Sequence, residues 1–162
     1  REGNYSAMNF KEEFDAVYAN ETLSHAPDLE KVFRNFYQAL RPGGRLAIFE
    51  YILSEEKNFL PNEIEVLDFV IENSAMVGLK QFRFGKIADI LKKTGFTNIK
   101  EKDITEYIRP SFGRLSRIAR KFFPVIKLFG LQKKFINATA GCTLKPLVEK
   151  GLIHYFYFSA DK

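Results

Sequence analysis

The sequence is short of several things, and each shortage excludes a class of protein. A single cysteine, Cys142, rules out an internal disulfide and a thiolate zinc cluster. Histidine occurs twice, as His25 and His154, and His154 lies in a strand-like stretch, so no metal site is expected. Tryptophan is absent. No apolar run approaches the roughly 20 residues that a membrane-spanning helix needs. Arg1-Glu2-Gly3-Asn4 lacks the apolar core of a signal peptide, so a reducing, cytoplasmic setting is the default expectation. Between residues 107 and 148 there is no Asp or Glu at all.

What is present is ordinary for one globular domain: 162 residues, 46% hydrophobic and 28% charged, with 17 Phe and 7 Tyr as core or pocket material. The net charge of +5 is unevenly spread. Residues 1–106 carry 14 basic and 18 acidic side chains, residues 107–148 carry nine basic and none acidic, and residues 149–162 carry two of each. Three regions follow: a mixed core (1–106), a basic segment (107–148) and a closing stretch (149–162).

Periodicity supplies the elements. Phe14–Ala19 is a strand candidate, Asp28–Leu40 an amphipathic helix with an apolar stripe at 29, 32, 33, 36 and 40, and Arg45–Tyr51 a second strand. Asp28 is the expected cap, and Arg41-Pro42-Gly43-Gly44 the expected stop. Strand, helix and strand within about 40 residues read as a right-handed βαβ unit with parallel strands. Helices are expected over 61–76 and 84–94, the latter closed by Gly95, and a strand over 96–105. Beyond these, 110–129 reads as a helix interrupted at Pro124, and 131–148 as one broken near Gly141 and Pro146. The last stretch, 152–160, is a strand with apolar residues on both faces, which places it inside its sheet.

An ordered set of motifs carries more than any one of them. Gly3-Asn4-Tyr5, Met8-Asn9-Phe10, Phe14-Asp15-Ala16-Val17-Tyr18-Ala19, Glu21, His25-Ala26-Pro27, Leu40-Arg41-Pro42-Gly43-Gly44 and Leu46-Ala47-Ile48-Phe49-Glu50 follow one another. Together they resemble the second half of a class I S-adenosylmethionine-dependent methyltransferase. Tyr18 to Pro27, with its E-x-x-x-H-A-P arrangement, is similar to the sterol and small-molecule C-methyltransferase branch. The resemblance implies an α/β fold, the C-terminal half of a Rossmann-like sheet. That sheet is mixed, with an antiparallel last strand and helices on both faces. It also implies S-adenosylmethionine as cofactor and a small, lipophilic acceptor.

The same resemblance distributes roles. Asn4 matches the position of an adenine-binding acidic residue, and the Tyr5 backbone faces the ring, flanked by Met8 and Phe10. By itself Asn4 reads equally as a turn residue bonded to its own backbone. Ala19 and Asn20 meet the methionine part of the cofactor, because ligands of open α/β sheets bind beyond the carboxyl ends of the strands. Glu21 and His25 are the candidate catalytic residues, the first to orient a substrate or stabilise positive charge, the second as a base. Glu50 and Tyr51 are candidate substrate contacts. Segment 107–148 corresponds to an acceptor pocket and lid.

The sequence departs from the family in two respects: no G-x-G-x-x-G occurs in it, and the acidic residue that holds the ribose after the family's second strand is absent as well. The chain therefore resembles a methyltransferase without its first half, inactive alone. Strand 14–19 is expected to be covered by that missing half, a partner chain or a swapped copy. Arg114, Arg117, Arg120 and Lys121 interleave with Leu115, Ile118, Phe122 and Phe123, which is compatible with peripheral membrane contact as well as with a lid. No nucleic-acid-binding motif is present. The competing reading is a non-catalytic binding or assembly module that uses this basic segment for membrane or protein contacts.

Overall fold

The structure, a computed structural model, describes residues 4–162, so Gly3 of the first motif lies outside the described residues. The apolar stripe at 29, 32, 33, 36 and 40 has to be hidden, and it organises the first half. Helix α1 (Leu29–Ala39) buries Leu29, Val32, Phe33 and Phe36, and Leu40 just beyond it is fully buried. Each such side chain contributes about 1.5–3 kcal/mol. The carboxylate of Asp28 accepts the Lys31 amide at 2.9 Å and caps the helix as expected.

Strand β1 (Phe14–Asn20) pairs in parallel with β2 (Leu40–Leu53). The strand assignment begins before the turn, not after it. Leu40 pairs with Phe14 and Arg45 with Ala16, so Arg41–Gly44 bulge out of the ladder. Gly43 takes a left-handed φ of 78° there.

Chain order continues with α2 (Pro61–Asn73), α3 (Lys86–Thr94), β3 (Thr97–Asp103), α4 (Thr105–Leu128), α5 (Ile136–Thr143), α6 (Lys145–Glu149) and β4 (Ile153–Asp161). Sheet order is β1-β2-β4-β3, with β4 antiparallel to both neighbours. The last strand is inserted, as its two apolar faces required. The two sheet faces are covered unequally. Leu46, Ile48, Glu50 and Ile52 are buried on the side where α1 and α3 pack together, while Ala47, Phe49 and Tyr51 on the other side are half-buried.

Two helix expectations need correction. Helix α4 starts at Thr105 and runs through both Pro110 and Pro124 without a break. The carbonyls those prolines leave unbonded belong to Glu106 and Arg120, which are exposed, so water can serve them. The 131–148 stretch divides at Leu144, where Pro146 opens α6, and Gly141 lies inside α5.

Gly95 ends α3 with φ 109°, and a Cβ there would stand 3.2 Å from the Tyr37 ring. Gly95→Ala is expected to destabilise the fold by more than about 1 kcal/mol. Urea denaturation checks this.

Candidate functional site

The site is built where β1 and β2 end. Antiparallel insertion brings the first residues of β4 to this same rim, so Tyr155 pairs with Tyr51 and their rings stand 5.0 Å apart. Past the end of β1 the chain turns sharply. Glu21 has φ 50°, a left-handed conformation uncommon for a residue with a side chain, and its amide donates to the Phe49 carbonyl at 2.9 Å. The Tyr155 hydroxyl directs its proton at Glu21 Oε1 (2.9 Å) and Asn20 Oδ1 (3.1 Å), so β4 fixes the two residues that follow Ala19. Ala19 itself is buried at the strand end.

His25 is held separately. It lies in the 3-10 turn Leu23–His25, and its Nδ1 is 3.0 Å from the Ala75 carbonyl. A carbonyl only accepts, so Nδ1 carries a hydrogen, and in the neutral ring Nε2 is the free acceptor. The two loops touch because residue 78 is glycine. Its amide donates to the Ser24 carbonyl at 2.7 Å, and a Cβ on it would meet the Ala26 carbonyl oxygen at 2.1 Å.

Glu21, His25 and Tyr51 line one cavity of about 650 Å³. Its remaining wall is mostly apolar and comes from α2 and the loop after it, from α4, and from α5, α6 and their junction, including Leu67, Met76, Phe112, Leu115, Ile136 and Leu144. The basic segment thus contributes its uncharged residues to the pocket. Burial, with the Glu21 and Glu50 carboxylates close by, pushes the Tyr51 phenol well above its ordinary pKa. Burial and the hydrogen bond to Glu21 do the same to Tyr155. Both phenols are therefore neutral donors near pH 7, and the acceptors at the rim are the Glu21 carboxylate and His25 Nε2.

Three of the residues expected at the site have partners within the chain. Glu50 is fully buried and does not line the cavity; it accepts the amides of Ser24 (3.0 Å) and Tyr51 (3.1 Å) and so positions the turn that carries His25. It is a positioning group, not a substrate contact. Asn4 Oδ1 accepts the Ser6 amide at 2.8 Å, which is the turn-residue alternative. The Tyr5 hydroxyl donates to the Thr22 carbonyl at 3.1 Å and its own carbonyl accepts from Asn35, so Tyr5 ties the opening loop to the rim. Met8 packs against the core, and Phe10 against Phe14. The sequence reading missed Tyr155. An antiparallel last strand must start where its neighbours finish, and that rule would have found it. Among the described residues no group of three or more His, Cys, Asp or Glu could hold a metal.

This sheet order, with a reversed strand inserted beside a parallel pair and a pocket at the strand ends, is the C-terminal half of a class I methyltransferase fold. Residues 1–48 match the family model described as a methyltransferase domain. In sequence the chain is similar to the sterol methyltransferases. It is 33% identical over 122 residues to 24-methylenesterol C-methyltransferase 2 of Arabidopsis thaliana, covering 70% of this chain and 33% of that protein. It is 26% identical over 148 residues to squalene methyltransferase 1 of Botryococcus braunii, covering 89% of this chain and 38% of the relative. The solved structure of Haemonchus contortus phosphoethanolamine N-methyltransferase 2 with S-adenosyl-L-methionine superposes with a TM-score of 0.73 at 22% identity, covering 98% of this chain and 36% of that one. The chain spans about a third of the length of the curated relatives it matches.

Two outcomes test this geometry. Glu21→Gly is expected to be more stable than Glu21→Ala by about 1 kcal/mol, since only glycine is unstrained at this φ. Equal denaturation midpoints would contradict the strained turn. For Glu50, burial raises the carboxyl pKa above its usual value of 4.5. The folded state then keeps a proton that the unfolded chain releases, so stability falls as pH rises from that value through the folded pKa. Between about pH 4 and about pH 7, denaturation midpoints should shift steadily in favour of Glu50→Gln relative to the unaltered protein. A constant difference would remove the effect.

Proposed function

We propose that the protein transfers a methyl group from S-adenosylmethionine to a small lipophilic acceptor. The observation that carries this is the apolar cavity opening onto the carboxyl ends of β1 and β2, with Glu21, His25 and Tyr51 at its rim. Its volume suits an acceptor of some tens of atoms, and its wall offers little to a highly charged one. Two of the similar proteins are named for lipophilic compounds, a 24-methylenesterol and squalene.

Residues of this chain fit part of a cofactor site. Ala19 and Asn20 offer backbone groups at the strand end, and Tyr5 closes over the loop that follows. Asn4 Oδ1 uses one lone pair on the Ser6 amide and keeps a second to offer the adenine. S-adenosylmethionine supplies a methyl already activated on a sulfonium. The work left to these side chains is positioning, water exclusion and charge. Glu21, aimed by Tyr155, places negative charge beside the acceptor, and the Tyr51 ring adds an aromatic face. An alkene acceptor that gains a methyl becomes cationic and must then lose a proton; a heteroatom acceptor must also lose one. In either case His25 Nε2 is the base, and the Ala75 carbonyl holds the ring in the required tautomer.

The β1 edge belongs to the same reading. Tyr18 is 77% exposed and Phe14 39% exposed on β1, whose outer edge is unpaired among the described residues, whereas the opposite edge, β3, carries Lys100, Glu101 and Lys102. Charged edges resist further pairing and apolar ones invite it. Further strands therefore join at β1, from a missing N-terminal half, a partner chain or a swapped copy.

The test uses methyl-labelled S-adenosylmethionine with this chain joined to the strands that complete its sheet at β1, in the full-length protein or complex, and a panel of sterol, triterpene and phosphoethanolamine acceptors. Label should enter organic-extractable product, and His25→Ala should lower kcat by about a hundredfold. Label found only in water-soluble acceptors, or no binding of S-adenosylmethionine by calorimetry, would overturn the reading.

A further inference from the structure

Helix α4 has two apolar faces, and the fold uses one. The inward face, with Phe112, Ser116, Ala119, Phe123 and Ile126, packs on α5, α6 and β4. The outward face carries Ile118, Phe122, Val125 and, just past the helix end, Phe129, at offsets 0, 4, 7 and 11. These side chains are 54%, 61%, 55% and 68% exposed. That is a complete helical stripe given to solvent, where an ordinary surface helix would place polar residues. Leu128, the last residue of α4, and Phe135, in the connection to α5, extend the apolar surface, 79% and 46% exposed.

Charge decides what this stripe suits. Arg114, Arg117 and Lys121 alternate with its apolar residues, and Lys127, Lys133 and Lys134 surround the tip. Residues 107–148 hold nine positive side chains and no negative one. A protein interior or an ordinary partner surface would bring unpaired cations into contact with apolar groups. An anionic bilayer meets both needs, taking the aromatics below its headgroups and the cations among its phosphates. Among the described residues no helix is long and apolar enough to cross a membrane, so the contact is a surface one. The stripe is also continuous with the pocket. Leu115 lines the cavity, is half exposed, and stands one turn before Ile118.

We infer that the outward face of α4 and the tip leading to α5 dock on an anionic membrane surface, so that a lipophilic acceptor enters the cavity past Leu115 without crossing water. The route rests on the acceptor reading above; the docking does not.

The experiment is co-sedimentation of the purified protein with phosphatidylcholine vesicles, with and without about one-third phosphatidylserine, together with tryptophan fluorescence of a Phe129→Trp variant. The protein should pellet with the anionic vesicles only, and the new tryptophan should shift to the blue. The pair Phe122→Ser with Phe129→Ser should weaken binding by at least about tenfold. Arg117→Glu with Lys121→Glu should weaken it by about fivefold or more for each charge changed. Circular dichroism melts identify any variant that fails to fold, and the tryptophan shift in the otherwise unaltered protein needs no destabilising change. No binding to anionic vesicles overturns the inference. So does loss on charge reversal with the serine pair binding at full strength, which would mark a polyanion contact without insertion. A stripe that instead controls the oligomeric state on gel filtration, with vesicles ignored, also overturns it. Calorimetry of the serine pair with S-adenosylmethionine separates the two proposals, because cofactor binding tests the function and is indifferent to the stripe.

Discussion

The rim depends on β4 running against its neighbours. Were β4 parallel to β2, its last residues and not its first would lie at this rim. Reversal places the beginning of β4 there as well, and so puts the Tyr155 hydroxyl within reach of Asn20 and Glu21, 135 and 134 positions away in the chain. That bond fixes the carboxylate after β1. It also ties the site to the basic segment, since the Tyr155 amide donates to Thr105 Oγ1 at 2.8 Å, in the first turn of α4. Asp103 reinforces the junction through Thr105 and through His154, whose Nδ1 is 2.9 Å away. The helix that walls the pocket is thus anchored on the strand that aims its carboxylate.

A second layer of positioning hides beneath. Glu50 spends its carboxylate on backbone amides of the turn bearing His25, and burial raises its pKa while those bonds oppose the rise. Gly78 lets the 74–78 loop press against the same turn. His25 is therefore placed by two contacts that involve no catalytic chemistry of their own. The Glu21 and His25 side chains reach the cavity from different supports: one from the sheet, one from packed loops. Each can be disturbed without the other.

Much of this was legible in the sequence, and the physical reason is periodicity. The stripe of α1, the cap at Asp28, the closing Gly95 and the doubly buried β4 each leave a local pattern that needs no distant information. The extent of α4 was not legible, because its prolines look like breaks unless one knows that their freed carbonyls face water. Leu144, not Gly141, divides the helices after it, since glycine inside a packed helix is tolerated where its neighbours Leu115 and Ala119 lie close. At the site, Glu21 and His25 could be read from their place after a strand. The part of Glu50 could not, because a strand-end carboxylate turned inward and one turned outward have the same sequence. Tyr155 needed the topology, which only the whole sheet supplies.

The contrast between the two sheet margins has a consequence for assembly. With Lys100, Glu101 and Lys102 guarding one side and Phe14 and Tyr18 on the other, the sheet is receptive along a single border. Two copies meeting there would use up that border in one symmetric union and stop at a pair. An endless ribbon would require both borders to accept a neighbour, and this fold denies it one.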